Sequence, residues 1–304
     1  MPTITALVHT RNSANALETC LQSLQWCNEI WVIDMESSDR TLDIAKKYAT
    51  KIFKTKAAFD YADPIRNIYI QKVTTDWLLI VDHDEEVPKT LAAKIQTCIS
   101  IDGINGYQLP RLNIIFGEKV WHTGFWPDYI IRLIRTGKGS YPPQVHGQPI
   151  VEGRVEAIEA KEEYALIHHH YPTIESFLSR ANIYTSLEVE KILKETKEAT
   201  PLFALRGFFE QFHTRYFALE GYKDGNVGFS LSLLLGAYTM IARLKAWEKM
   251  KQKAQASVGN IEDVETEIAA ACSNTSYWVA NEKLKEKINP FVKLRLLIKR
   301  KLSS

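Results

Sequence analysis

Residues 76–88, Asp-Trp-Leu-Leu-Ile-Val-Asp-His-Asp-Glu-Glu-Val-Pro, restrict the fold of this chain more than any other stretch. The run Trp77 to Val81 is uninterrupted and apolar, too short for a core helix, and reads as a fully buried strand. An acidic cluster follows at once, and Pro88 then opens a helix. A strand buried on both faces belongs to a parallel sheet covered by helices. In such sheets ligands bind beyond the carboxyl ends of the strands. Asp82 and Asp84 are two apart, which in extended chain points both carboxylates the same way. Two convergent carboxylates repel unless a cation or sugar hydroxyls lie between them, and hard divalent ions such as Mg2+ or Mn2+ take oxygen ligands of this kind. An acidic surface turn, with Glu85 and Glu86 favouring a helix N-terminus, is the other reading of the same residues.

What precedes this stretch is strand and helix in alternation. Ile4 to Val8 is an apolar run, and Leu17, Cys20, Leu21 and Leu24 then recur at helical spacing, with Asn15 and Glu18 placed as a cap pair. Ile30 to Met35 is the next strand, and Ser38 or Asp39 can cap a helix carrying Leu42, Ala45 and Tyr48. Lys51 to Thr55 gives a third strand. Asp63-Pro64 opens a helix whose buried face is Ile65, Ile68 and Val73. This order predicts an α/β fold with a mostly parallel sheet and helices on both faces. No GxGxxG or GxxxxGKS motif follows the first strand, so the dinucleotide fingerprint and the P-loop are both absent. At 304 residues, 45% hydrophobic and 24% charged, the chain is long enough for one large or two modest domains. A formal net charge of +2 makes no case for nucleic acid. Cys20, Cys27, Cys98 and Cys272 lack metal-ligand spacing and read as reduced thiols. The amino terminus shows no basic leader ahead of a long apolar run, so a cytoplasmic protein is expected.

Four pieces in order, Val8-His-Thr-Arg-Asn12, Trp31-Val-Ile-Asp34 running into Ser37-Ser-Asp-Arg-Thr41, Arg66-Asn67, and Val81-Asp-His-Asp-Glu85, resemble a family 2 glycosyltransferase of the GT-A fold. The likeness continues through Trp126-Pro-Asp-Tyr-Ile-Ile-Arg-Leu133, Val145-His146, His168 with Tyr171, Arg180 to Thr185, and Glu220 to Phe229, which resemble the branch of lipopolysaccharide-core β-glucosyltransferases. It covers roughly residues 1–250. The resemblance implies a UDP-sugar donor, with Asp34 reading the base edge and Thr10 and Arg11 lining the nucleoside pocket. It implies that Asp82 holds the ribose or the metal's water shell and that Asp84 ligates a Mg2+ or Mn2+ on the diphosphate. Arg66 lies early in its helix, where a cation opposes the dipole; nucleotide contact and plain solvent exposure both account for it. His83 stands where the family often has a small residue.

Transfer with inversion calls for one positioned carboxylate to take the acceptor's proton. Asp128, in Gly124-Phe-Trp-Pro-Asp128, has an aromatic and apolar setting suited to stacking a sugar ring and desolvating the carboxyl. Glu152 is its rival, although Gly147 stands where relatives place an acid after the histidine. Of His168, His169 and His170, no more than two can face one ion. His168 or His146 could complete the metal shell, and Arg132 could steady a phosphate or the acceptor.

Beyond residue 172 the pattern is helical. Ile174, Phe177, Leu178, Ala181 and Tyr184 share a face, Leu202 to Phe217 form a second helix, and Gly221 to Gly228 read as a turn. The uncharged run Phe229 to Ala242, fourteen residues, falls short of the roughly 20 needed to cross a bilayer. Lys245 to Glu267 reads as an exposed helix end and linker. From Lys283 to Lys301 eight basic residues face one acid, Glu286. With Phe291, Leu294, Ile298 and Leu302 at helical spacing, residues 283–302 can meet an anionic membrane surface. The expectation is a catalytic domain over 1–170 and a helical extension over 171–304. Its function would be an inverting, metal-dependent transfer from a nucleotide sugar to a saccharide or lipid-linked saccharide of the cell envelope. The alternatives are a non-catalytic nucleotide- or sugar-binding scaffold at the membrane and a sugar nucleotidyltransferase, which normally carries glycines after the first strand.

Overall fold

A computed structural model describes residues 1–56, 63–142, 148–196, 199–251, 260–285 and 289–302. The first elements are β1 (Ile4–Thr10), α1 (Leu17–Ser23), β2 (Glu29–Asp34), α2 (Thr41–Tyr48), β3 (Lys51–Lys54), α3 (Asp63–Ile70), β4 (Trp77–Asp82), β5 (Glu85–Glu86) and α4 (Lys89–Cys98). There follow β6 (Gly106–Ile115), β7 (Glu118–Lys119), β8 (Asp128–Arg135), β9 (Gly139–Ser140), β10 (Ile150–Val151), β11 (Val155–Ala157) and β12 (Leu166–Tyr171). The rest is helical: α5 (Ile174–Glu195), α6 (Pro201–His213), α7 (Gly225–Lys251), α8 (Ile261–Lys283) and α9 (Pro290–Leu302). The chain divides into two compact units, 1–114 with 125–170, and 115–124 with 171–304. Residues 115–124, inside the span expected for the catalytic domain, cluster with the helices.

In the first unit the strands run in the order β3-β2-β1-β4-β8-β6-β12-β5, with β11 beside β6. The block β3-β2-β1-β4 is parallel, whereas β8 is antiparallel to both β4 and β6. Every residue of β1 is buried, which is why Ile4–Thr10 shows no polar alternation. One face of the sheet packs Val8, Val32, Leu79 and Val81 against Leu17, Leu21, Ile44, Leu91 and Ile95 of the helices. The other packs Leu7, Ile33, Leu78 and Ile80 against Tyr69, Ile70 and Tyr141. Trp77 is wholly buried, and truncating a tryptophan so placed costs about 3–5 kcal/mol. Asp76 fastens the start of β4 to that of β1, since its Oδ2 accepts from the Thr3 amide and hydroxyl at 2.7 Å each.

Several local expectations are corrected. Ala16 is the N-cap of α1 and makes no side-chain cap bond, so Asn15 and Glu18 are not its cap pair. Arg40 caps α2, and Asp39 instead accepts from the Thr41 amide. Pro88 sits at the N-cap of α4, one residue before the helix. Ile68 is 51% exposed, and Tyr69 and Ile70 take its place in the core.

In the second unit α7 packs against α5 and α6, α8 against α6, and α9 against α8. Thr173 and Ser176 form a reciprocal capping box on α5, and Thr200 with Pro201 starts α6. Ile174 and Leu178, expected on the buried face of α5, are 52% and 50% exposed; Phe177, Ala181, Thr185 and Val189 are buried instead. The turn expected over Gly221 to Gly228 is shorter: Gly221–Asp224 is a 3-10 turn and α7 begins at Gly225. A Cβ on Gly228 would lie 1.9 Å from the Gly221 carbonyl oxygen, so glycine serves close backbone approach there. By length and composition the 30-residue stretch Gly221–Met250 is apolar enough to cross a membrane, which the shorter uncharged run did not predict. Residues 261–283, expected to begin as linker, form a 23-residue helix whose N-cap is Asn260. Asp224 organises the neighbouring segment. It accepts from the Trp121 and His122 amides at 3.1 and 2.8 Å, from His122 Nδ1 at 2.9 Å and from the Thr123 hydroxyl at 3.3 Å. That capture holds the β-branched Thr123 at φ 61, a left-handed conformation such residues rarely adopt.

Candidate active site

The sheet register brings the tips of three adjacent parallel strands together. Thr10 of β1 lies opposite Asp34 of β2, and His9 lies opposite Asp82 of β4. Asp34 is 1% exposed; its Oδ2 accepts from the Ser37 amide at 3.2 Å, while its Oδ1 and the Thr10 hydroxyl are buried with no partner among the described residues. A buried acceptor left unpaired costs about 1–3 kcal/mol, so a donor on a ligand would be bound with that penalty relieved. Arg11 follows on the exposed side of the tip. The loop after β1 is tied to the loop after β2: Asn12 Oδ1 accepts from the Ser38 amide at 2.8 Å, and the Ser13 and Ala14 amides donate to Thr41 Oγ1 and Asp39 Oδ2 at 2.8 and 3.1 Å. The run Ser37 to Thr41 thus shapes the pocket's rim.

Asp82 ends β4 between two arginines. Arg66 Nη2 donates to its Oδ1 at 2.7 Å and Arg132 Nη2 donates to its Oδ2. Arg66 also donates to the Tyr141 hydroxyl at 3.2 Å, with its guanidinium 5.1 Å from that ring's centroid. Arg132 continues to Glu85 Oε1 at 2.7 Å, and Glu85 Oε2 accepts from the Asp82 amide at 2.9 Å. Burial alone would push the Asp82 carboxyl up, but the charges and hydrogen bonds of Arg132 and Arg66 outweigh it and hold it well below the usual carboxylate range. His9 beside it is kept neutral by burial and by the positive charge of Arg66. Arg66 is therefore buried and ion-paired, not a solvent-exposed cation, with Asp82 and Tyr141 among its partners.

The chain turns immediately after Asp82. His83 and Asp84 form the turn between β4 and β5, which corrects the expectation that Asp82 and Asp84 share one side of an extended strand. Asp84 Oδ2 lies 3.7 Å from His168 Nε2. Burial raises the Asp84 carboxyl, yet the hydrogen bond and charge of His168 and the charge of His83 bring it below its ordinary range. On β12 the histidines alternate: the rings of His168 and His170 are 4.5 Å apart on one side, while His169 Nε2 is 3.8 Å from Glu86. Asn113 fixes the His168 tautomer. Its amide nitrogen donates to the Phe125 carbonyl and to Asp128 Oδ2, both at 3.2 Å, so its oxygen faces His168 Nδ1 at 2.7 Å and that nitrogen carries the proton. Nε2 is then the ring nitrogen that faces the Asp84 carboxylate. One hard oxygen and one imidazole nitrogen so arranged, the imidazole held by a second hydrogen bond, suit a divalent ion that takes its other ligands from phosphate and water. Among the described residues no group of three such side chains converges.

Asp128 opens β8 opposite Arg111 of β6. Arg111 Nε and Nη2 reach its Oδ2 at 2.8 and 2.6 Å, and Arg111 Nη1 reaches Glu85 Oε1 at 3.3 Å. The aromatic, apolar setting expected for Asp128 is replaced by a guanidinium and an amide. All three donors converge on Oδ2; among the described residues none bonds Oδ1, and the side chain is 30% exposed. Glu152 is not brought here. It is exposed, follows the β9–β10 ladder, and its backbone bonds Lys138 and Asn105. Asn105 precedes β6 and lies six residues from Arg111, about 20 Å along a strand. His146 lies outside the described residues.

An unbroken series of polar contacts therefore runs from Asp82 through Arg132, Glu85, Arg111, Asp128, Asn113 and His168 to Asp84. Arg111, Asn113 and Tyr141 were missed in the sequence. The signal for the first two was present: Arg111 and Asn113 stand two apart in Gly106–Ile115, so they share one face of an otherwise apolar strand.

A parallel sheet with polar groups gathered at its strand tips and a reversal of strand order between β1 and β4 is a ligand-binding α/β architecture. Residues 5–147 match the family model described as "Glycosyl transferase family 2". The chain is 22% identical over 275 residues to the lipopolysaccharide core biosynthesis glycosyltransferase LpsC of Rhizobium meliloti (strain 1021), covering 84% of this chain and 96% of that protein. It is 25% identical over 262 residues to an uncharacterized glycosyltransferase of Rickettsia bellii (strain RML369-C), covering 80% and 86%. A crystal structure of S. aureus TarS aligns at 16% identity and a TM-score of 0.44, over 83% of this chain and 55% of that one. The chain is thus similar to family 2 glycosyltransferases of the GT-A fold and resembles the lipopolysaccharide-core branch, with its mostly parallel sheet in the first unit and a helical extension in the second.

Proposed function

We propose that this glycosyltransferase moves a hexose from a UDP-sugar to a saccharide or lipid-linked saccharide in lipopolysaccharide synthesis, with inversion at the anomeric carbon. The name of the Rhizobium relative supports the acceptor class. The observation that carries the mechanism is the asymmetry of Asp128: Oδ2 is fixed by three donors and Oδ1 is left to an acceptor hydroxyl. Oδ1 takes the hydroxyl proton as the acceptor oxygen bonds the anomeric carbon, and the carbon–oxygen bond to the diphosphate breaks with its electron pair on the nucleotide. The proton then passes to solvent, to which the carboxyl is partly open. Asp34 Oδ1 and the Thr10 hydroxyl receive the donors of the nucleoside, and Arg11 lies next to them. Asp82, held by Arg66 and Arg132, is a fixed acceptor for the ribose. Asp84 and His168 Nε2 would hold a Mn2+ or Mg2+ ion, which when bound offsets negative charge on the departing diphosphate.

A thermal-shift series with UDP, GDP and their sugars, with and without Mn2+, tests this reading, because a ligand of the folded state raises the melting temperature. UDP with Mn2+ should give the largest rise, and Asp84→Ala should abolish the Mn2+-dependent part alone. An equal response to GDP, or an Asp84→Ala protein that responds like the parent, removes the donor or the metal assignment respectively.

A further inference from the structure

The helix α9 carries a surface that the transfer reaction does not use. It packs on α8, and the side turned to α8 is marked by Leu296 and Arg300, its two half-buried positions, with Arg300 Nη1 donating to Asn281 Oδ1 at 3.4 Å. With 3.6 residues per turn, Phe291, Leu294, Ile298 and Leu302 form a stripe on the opposite side of the helix. Those side chains are 85%, 58%, 54% and 82% exposed. Four large apolar groups in one line facing water are unfavourable in a lone protein and mark a contact surface.

Charge decides what covers it. Lys293, Arg295, Lys299, Arg300 and Lys301 are the charged residues of α9, and the helix contains no acid. Arg295 and Lys299 flank the stripe on one side and Lys301 on the other. The neighbouring α8 differs: Ile261, Val264 and Ile268 are also exposed there, but Glu262, Asp263, Glu265 and Glu267 lie among them. The basic region is also narrower than residues 283–302, because Lys283 ends α8 and Lys285 is paired with Glu282 at 2.8 Å.

We infer that α9 lies flat in an anionic bilayer surface, its Phe291–Leu294–Ile298–Leu302 stripe among the acyl chains and its flanking cations against lipid phosphates. A second copy of the chain would bring five more cations against these five, so self-association through this face is disfavoured. The apolar stripe adds a non-electrostatic component that simple phosphate binding would lack.

Sedimentation of the full chain with phosphatidylcholine vesicles, with and without phosphatidylglycerol, tests the inference with neither donor nor acceptor present, so its outcome is separate from that of the transfer reading. The parent should bind the phosphatidylglycerol vesicles selectively and lose binding as salt rises. Leu294→Glu with Ile298→Glu should weaken binding by roughly tenfold or more, with an unchanged melting temperature because both side chains face solvent. Replacing Arg295, Lys299 and Lys301 by Gln should weaken it by about fivefold per charge. The inference is overturned if the parent ignores anionic vesicles, if the Glu variant binds as the parent does, or if sedimentation velocity shows a dimer that the Glu variant dissociates.

Discussion

Two regions of the same sheet edge treat polar groups in opposite ways. At the tips of β1 and β2, Thr10 and Asp34 keep buried oxygens that no group among the described residues answers. From Asp82 to Asp128 each carboxylate meets at least one arginine, and the single oxygen spared, Asp128 Oδ1, is at the partly open end. The first region gives up native-state stability so that a ligand's donors are rewarded. The second spends its charges on rigidity, so that one acceptor atom is held in place before anything binds.

Asp128→Asn should break the contrast most severely. Donor binding should persist while transfer falls by about 10^2 to 10^4-fold, measured as turnover beside nucleotide-induced thermal shift; substantial residual transfer would reassign the base. Arg132→Met comes next, since it leaves Asp82 and Glu85 short of a buried cation and should cost about 3–5 kcal/mol in chemical denaturation. It should also reduce the acid sensitivity of the metal-free protein. The depressed Asp82 carboxyl stays ionised where the unfolded chain takes up protons, so its stabilisation is complete above a pH of about 4 and is lost as pH falls through the lower folded-state value. Asp34→Ala should have the opposite sign at the other region: unfolding free energy unchanged or slightly raised, because an unpaired buried oxygen is removed, and UDP affinity weaker by about 1–3 kcal/mol in titration calorimetry. The smallest effect belongs to Glu152→Gln, which should leave transfer within about twofold of the parent; a large loss would bring that carboxylate back as a candidate base.

The strand-tip positions of Thr10, Asp34 and Asp82, at the carboxyl edge of the sheet, were legible because the strand–helix rhythm already locates those tips. Their nucleotide roles came from the family resemblance. Asp128 was found as a residue and misjudged in its surroundings, since Phe125, Trp126 and Pro127 are its neighbours in sequence while Arg111 and Asn113 are its neighbours across β6. Glu152 was the converse, near His146 along the chain yet set at the other end of that strand. In the helical half, residues 261–267, the start of α8, were read with the segment from Lys245 as helix end and linker because few apolar residues follow Trp247.

The sequence by itself determined the parallel sheet and the positions of its tips, because apolar runs and strand–helix spacing are local properties that act within a few residues, and its motifs carried the family resemblance. Only the tertiary structure decided which charge meets which: that Asp82 is clamped between Arg66 and Arg132, that Asp84 turns away to His168, and that Asp128 keeps one oxygen free. Those pairings join strands up to 84 residues apart, His168 to Asp84 being the widest. Their energies depend on distance and burial at the contact, which no local pattern carries.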